Sequence, residues 1–100
     1  MAPPLLVSNL TNLRYLTGVE MTAGLLLLQG KKRLLFVDSR YTEKARNEAK
    51  RGVRVLPMDD LKKHLKRLKR VLFEADDVTV ARSGRWRKQF RGSRFMPSEG

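Results

Sequence analysis

Thr22 to Leu28 and Leu34 to Val37 are two apolar runs separated by the turn segment Gln29-Gly30-Lys31-Lys32. An apolar run without polar alternation reads as a strand covered on both faces. The short glycine-containing turn joins the two runs as an antiparallel hairpin. A hairpin buried on both sides needs a layer above and a layer below it, so the rest of the chain must supply helices for both faces. One hundred residues are enough for one such domain and too few for two. The 41% hydrophobic content matches a globular core and argues against disorder.

Leu5-Leu6-Val7 reads as a first short strand, and Ser8 or Asn9 caps a helix over residues 9–17 that ends at Gly18. After the hairpin, Asp38 and Ser39 start a helix over 39–51, with Tyr41, Ala45 and Ala49 on its packed stripe and Gly52 as its stop. Val53 to Leu56 is a strand closed by Pro57. Asp59 or Asp60 opens a helix in which Leu61, Leu65 and Leu68 share a face. Val71 to Glu74 is a strand, Thr79 caps a helix reaching about Phe90, and Phe95-Met96 reads as an edge strand. The predicted architecture is α/β: a mixed five- to six-stranded sheet flanked by helices. Strands joined through helices are expected parallel, and the hairpin antiparallel.

The chain has no cysteine, which excludes a disulfide scaffold and thiolate metal sites and fits a reducing compartment. Its longest purely aliphatic run, Leu25 to Leu28, is far short of a membrane span, and Met1-Ala2-Pro3-Pro4 lacks the basic start of a signal peptide. A cytoplasmic location and no membrane partner are expected. Charge is the unusual feature. The formal net charge is +12, with eight basic and four acidic side chains in residues 1–50 and fourteen and six in 51–100. Such an excess favours polyanions through counterion release.

Asn9-Leu10-Thr11-Asn12-Leu13-Arg14-Tyr15-Leu16-Thr17-Gly18 resembles the N-x-x-N-[IL]-R-Y-L-T-G signature near the start of the creatinase/prolidase/aminopeptidase P family. Leu35-Phe36-Val37-Asp38-Ser39-Arg40-Tyr41 is similar to that family's L-F-x-D-x-R-Y strand end. The resemblance implies a ribonuclease H-like or creatinase N-terminal domain fold over residues 1–96, with 97–100 starting a linker. It also implies a larger catalytic domain outside these residues, holding two divalent metal ions (Mn, Co or Zn) on two Asp, one His and two Glu. The N-terminal domain would then serve oligomerisation, as a homodimer, and substrate access, with proline-containing peptides as substrates of the whole enzyme. Relatives usually carry a further helix before the first strand, so one sheet face is expected here to be either thinly covered or covered by a partner.

No residue in the chain reads as catalytic or metal-binding. His64 is the only histidine and has no ligand spacing, so it reads as a solvated helix-face residue. Asp59-Asp60 and Asp76-Asp77 read as helix caps rather than paired acid and base, and Ser8, Ser39 and Ser83 lack an activating histidine. Asn9, Asn12, Arg14, Tyr15, Gly18, Asp38, Arg40 and Tyr41 carry the family motifs. Both tyrosines read as core residues, with shaping of a site or interface as the alternative. Val19-Glu20-Met21 is either a connecting loop or an access loop toward a neighbouring subunit's site. Lys62, Lys63, Lys66 and Arg67 form a cationic helix back, either merely solvated or a polyanion contact. Trp86 reads as a core anchor together with Phe90, or as a stacking ring in a basic groove. The rival to a peptidase domain is a free-standing basic α/β module for nucleic acid, for which the sequence supplies charge but no recognised motif.

Overall fold

Leu25–Gln29 (β2) and Lys32–Val37 (β3) form the hairpin in the computed structural model, which describes residues 3–98. Their register runs from Leu25↔Phe36 to Gln29↔Lys32. Only Gly30-Lys31 is left to turn. Gly30 sits at φ 61, a left-handed position that a Cβ would strain and that the first central residue of a type II′ turn requires.

Around it lie β1 (Leu5–Val7), β4 (Val53–Pro57), β5 (Arg70–Glu74) and β6 (Arg94–Ser98), in the order β4-β3-β2-β1-β5-β6. The mixed six-stranded sheet matches the architecture read from the sequence. Its strand directions differ from expectation at one point. β1 and β2 are joined through a helix yet pair antiparallel, while β1–β5, β3–β4 and β5–β6 are parallel. After helix α1 (Leu10–Thr17) the chain climbs back along Val19 and Met21, so β2 starts at the edge where β1 ends.

Strand alternation sends side chains to two cores. On one face Leu6, Leu27, Phe36, Val71, Phe73 and Phe95 meet helices α3 (Leu61–Lys66) and α4 (Val80–Gln89) through Leu61, Leu65, Trp86 and Phe90. On the other, Val7, Leu26, Leu35 and Val37 meet Leu13 of α1 and Ala45 of α2 (Thr42–Glu48). The hairpin is therefore covered on both faces, as its unbroken apolar runs demanded. Leu5, Leu28, Leu72 and Met96 on the α1 side stay half-buried, the thin cover expected of a chain without a helix before its first strand.

Local chemistry moved several boundaries. β2 begins at Leu25 rather than Thr22, because Thr22 turns away to hydrogen-bond the Tyr41 hydroxyl. α2 is shorter than the 39–51 pattern. At its start the Asp38 carboxylate takes the Arg40 N–H at 2.9 Å, and past its end the Lys50 N–H goes to the Thr17 carbonyl at 2.7 Å. Both bonds compete with continuation of the helix. Asn9 and Thr79 cap α1 and α4 by accepting from the Asn12 and Arg82 N–H groups. The two Asp pairs do not cap. Asp60 stands at the N-cap position of α3 in right-handed helical geometry with no side-chain bond, because a 3-10 turn over Met58–Asp60 leads directly into the helix. Asp77 is used elsewhere, as described below. β6 runs through Pro97 and Ser98, longer than the Phe95-Met96 pair read from the sequence; residues 99 and 100 lie outside the described residues.

Candidate functional site

Five of the six strands point the same way, with β2 the exception. The sheet therefore has a C-terminal edge, where Ser8, Asp38 and Glu74 leave their strands, and an opposite N-terminal edge. The motif residues divide between these two edges.

At the C-terminal edge, Glu74 ends β5 and holds the start of α1. Its Oε1 accepts the Ser8 and Asn9 N–H groups at 2.7 and 2.8 Å, and its Oε2 accepts from Asn12 Nδ2 at 2.6 Å. Asp77 accepts from Ser8 Oγ at 2.6 Å and from Asn9 Nδ2 at 3.3 Å. The two signature asparagines are thus clamps, tying the helix entry to a loop more than sixty residues on. Sequence reasoning missed Glu74 and misassigned Asp77, since partners so distant leave no local pattern.

Asp38 and Arg40 lie along the same edge, bonded at 2.9 Å. The Arg40 guanidinium holds the Asp38 carboxyl below its usual range, and the carboxylate raises Arg40 in turn. Asp38 therefore contributes to stability at neutral pH, and that contribution is lost as pH falls through its depressed range. The Arg40 guanidinium also lies 5.6 Å from the Tyr41 ring centroid, over a ring that packs partly into the core. Ser8, Thr22, Met58, Asp77 and Arg82 line a hollow of about 390 Å³ at this edge.

Arg14, Tyr15 and Gly18 sit at the opposite edge. Gly18 adopts φ 78 and its N–H bonds the Arg14 carbonyl at 2.8 Å, closing the helix. A Cβ there would stand 2.9 Å from Lys50 Cγ. Gly18→Ala is expected to cost about 1–2 kcal/mol for the left-handed backbone, read by urea unfolding. Tyr15 is not a core residue: it is 77% exposed. Leu13 and Thr17 fill the inner face of α1, which turns Tyr15 outward. There Lys50 Nζ bonds its carbonyl at 2.7 Å and lies 5.3 Å from its ring centroid.

The segment 19–21 is anchored as well. Val19 and Met21 are buried and only Glu20 faces solvent. His64 is half-buried rather than solvated, edge-on to Phe36 at 5.5 Å between ring centroids. Trp86 is 5% exposed against Phe73 and Phe95, with Arg82 over its ring, so it is no stacking platform. Lys62, Lys63, Lys66 and Arg67 are all exposed, and Lys63 approaches Asp60 at 3.9 Å.

The groups at these edges are hydrogen-bond clamps and exposed charges. Ser8 meets a carboxylate, but the single histidine packs on Phe36, in the core beneath α3. Among the described residues no three His, Asp or Glu side chains gather to hold a metal ion, so the residues present do not fit one. No helix among them is long and apolar enough to cross a membrane. Of the charged and aromatic motif and loop residues, Arg14, Tyr15, Glu20 and Arg40 are exposed, each standing on a hydrogen-bonded or buried support.

Comparison with known proteins agrees with this geometry. The model of the Creatinase/Prolidase N-terminal domain matches residues 4–100. Over 46 residues the chain is 41% identical to the uncharacterized peptidase YqhT of Bacillus subtilis (strain 168), a stretch that is 46% of this chain and 13% of that protein. The fold superposes on an Xaa-Pro dipeptidase from Bacillus anthracis with a TM-score of 0.85 and 25% identity, over 97% of this chain and 29% of the other. An Xaa-Pro aminopeptidase from Streptococcus pyogenes gives 0.82 and 28%, over 96% and 78%. The N-terminal domain of a putative metallopeptidase from Corynebacterium diphtheriae gives 0.82 and 25%, over 98% and 83%. The chain thus spans under a third of the dipeptidase, and its matched stretch about an eighth of YqhT. It belongs to the creatinase/prolidase N-terminal domain family.

Proposed function

We propose that this chain is the non-catalytic N-terminal domain of a metal-dependent Xaa-Pro peptidase, an aminopeptidase P or prolidase of the cytoplasm. In it the domain assembles a homodimer and shapes the approach of proline-containing peptides to the catalytic centre. The metal ions belong with a catalytic domain that follows β6, whose last residues, Pro97 and Ser98, pair with Phe73 and Glu74 rather than starting a linker.

The observation that carries this reading is the superposition of 97% of the chain on less than a third of an Xaa-Pro dipeptidase. The character of the exposed motif residues supports it. Tyr and Arg are the residue types that anchor protein interfaces. Tyr15 and Arg40 are held in place while remaining accessible, which lowers the ordering cost of binding.

The test uses the whole peptidase that contains this domain. Tyr15→Ala and Arg40→Ala are expected to leave metal content unchanged. They should weaken the dimer seen by light scattering, or raise KM for longer peptides with kcat kept. Unchanged assembly and unchanged KM in both variants would remove the assembly and access role. Xaa-Pro hydrolysis by the purified 100-residue chain, persisting through repeated purification, would remove the non-catalytic assignment.

A further inference from the structure

The N-terminal edge of the sheet gathers charge from four separate places in the chain. The turns that feed β3, β4, β5 and β6 are residues 30–33, 50–54, 66–70 and 91–94. They carry three, three, four and two Lys or Arg side chains, twelve of the chain's 22, and no carboxylate. Six of the ten acidic residues, among them Asp38, Asp60, Glu74 and Asp77, lie at the opposite edge. The molecule is therefore polarised, with one cationic end.

Two hollows open at that end, on either side of α3. One, of about 470 Å³, is lined by Lys31, Lys32, Arg33, Arg54 and Arg67 together with His64. The other, of about 320 Å³, is lined by Lys62, Lys66, Lys88 and Arg91. Neither lining includes an acid, and among the described residues none of these cations is in a salt bridge. Arg70 and Arg94 are also register partners on adjacent parallel strands. Like charges directly opposite are destabilising, and such a pair is relieved by a bound anion.

We infer that this cationic end is a binding surface for the phosphate backbone of nucleic acid. The chemistry favours that partner over two others. A protein partner or an anionic membrane needs apolar anchors among the charges. Of the large exposed apolar side chains among the described residues, Leu10 and Val80 lie at the opposite edge, and Tyr15 alone borders the cationic end, where Lys50 lies over its ring. Phosphate neutralisation needs only cations, and with one exposed ring at this end, Tyr15, already under Lys50 Nζ, the surface reads backbone rather than bases. The inference is independent of the peptidase assignment and stands or falls separately.

The test is fluorescence anisotropy of the 100-residue chain with a labelled 20-base-pair duplex between 0.05 and 0.2 M salt. The log–log plot of affinity against salt is expected to have a slope of about −4 or steeper, since each phosphate contact contributes about −0.9. The triple variant Arg54→Glu, Lys66→Glu, Arg67→Glu should lose more than about tenfold in affinity at 0.1 M salt and flatten the slope by about 3. A control triple, Lys44→Glu, Arg46→Glu, Arg85→Glu, changes net charge equally and should lose less than about threefold. Circular dichroism establishes that both variants are folded. Equal losses in the two triples would reduce the effect to net charge and overturn the inference. So would absence of binding at 0.05 M salt, or tighter binding to phosphatidylserine vesicles or a polyglutamate peptide than to the duplex.

Discussion

Replacing Glu74 with alanine is expected to lower the unfolding free energy by about 2–4 kcal/mol. One carboxylate receives three hydrogen bonds: from the Ser8 and Asn9 backbone N–H groups and from the Asn12 side chain. Bonds to a charged acceptor contribute about 1.5–3 kcal/mol each in favourable cases, and partial solvent access at this edge reduces the total. The larger part of the loss comes from Ser8, which is buried and whose N–H would be left without its acceptor. Glu74→Gln keeps one acceptor oxygen and is expected to cost roughly half as much. Urea unfolding with an unchanged m-value is the measurement. A loss below about 0.5 kcal/mol for the alanine variant would mean that water replaces the carboxylate at no cost and that the clamp is incidental.

Phe36→Ala is expected to cost about 3–5 kcal/mol, a large share of the 5–15 kcal/mol that stabilises a domain of this size. Phe36 is fully buried near the open end of the hairpin, opposite Leu25, within the core that includes Leu34, Leu56 and Leu61, and its ring meets His64 edge-on. Truncation removes the transfer energy and leaves a cavity between the sheet and α3. The sheet cannot close that cavity, because β3 is pinned on both sides by β2 and β4. The melting temperature should fall by about 4–8 °C for each kcal/mol lost. Phe36→Leu refills most of the space and is expected to lose about 1–2 kcal/mol. Near-equal melting of the leucine and alanine variants would show that this core relaxes around the gap.

Both predictions concern groups whose importance the linear sequence conveys unequally. Phe36 was legible, since it lies inside an apolar run whose lack of alternation requires cover on both faces. Asn9, Gly18 and Thr79 were legible too, because capping and left-handed termination depend on a few adjacent residues. Glu74 was not. Its partners lie 62 to 66 positions away, and nothing in Val71-Leu72-Phe73-Glu74 distinguishes it from an ordinary polar strand end. The Asp pairs show the converse failure. Asp60 stands at a helix start and caps nothing, because the preceding 3-10 turn sets its backbone in helical geometry rather than the extended geometry a cap uses. Tyr15 also misled, since helical periodicity says which residues share a face but not which face the sheet will take.

What the sequence determined by itself is whatever short-range stereochemistry and patterning decide: a hairpin buried on both faces, helices around it, their caps, and two motif blocks that place the chain in its family. Tertiary structure decided the rest. It set the direction of β2 against β1, sent Asn9 and Asn12 to Glu74 and Asp77, turned Tyr15 outward, and collected cations from four distant turns at one end of the sheet. The physical reason is range. Hydrophobic period and capping act over three or four residues, whereas charge–charge and carboxylate–amide contacts act between whichever segments the strand order brings side by side.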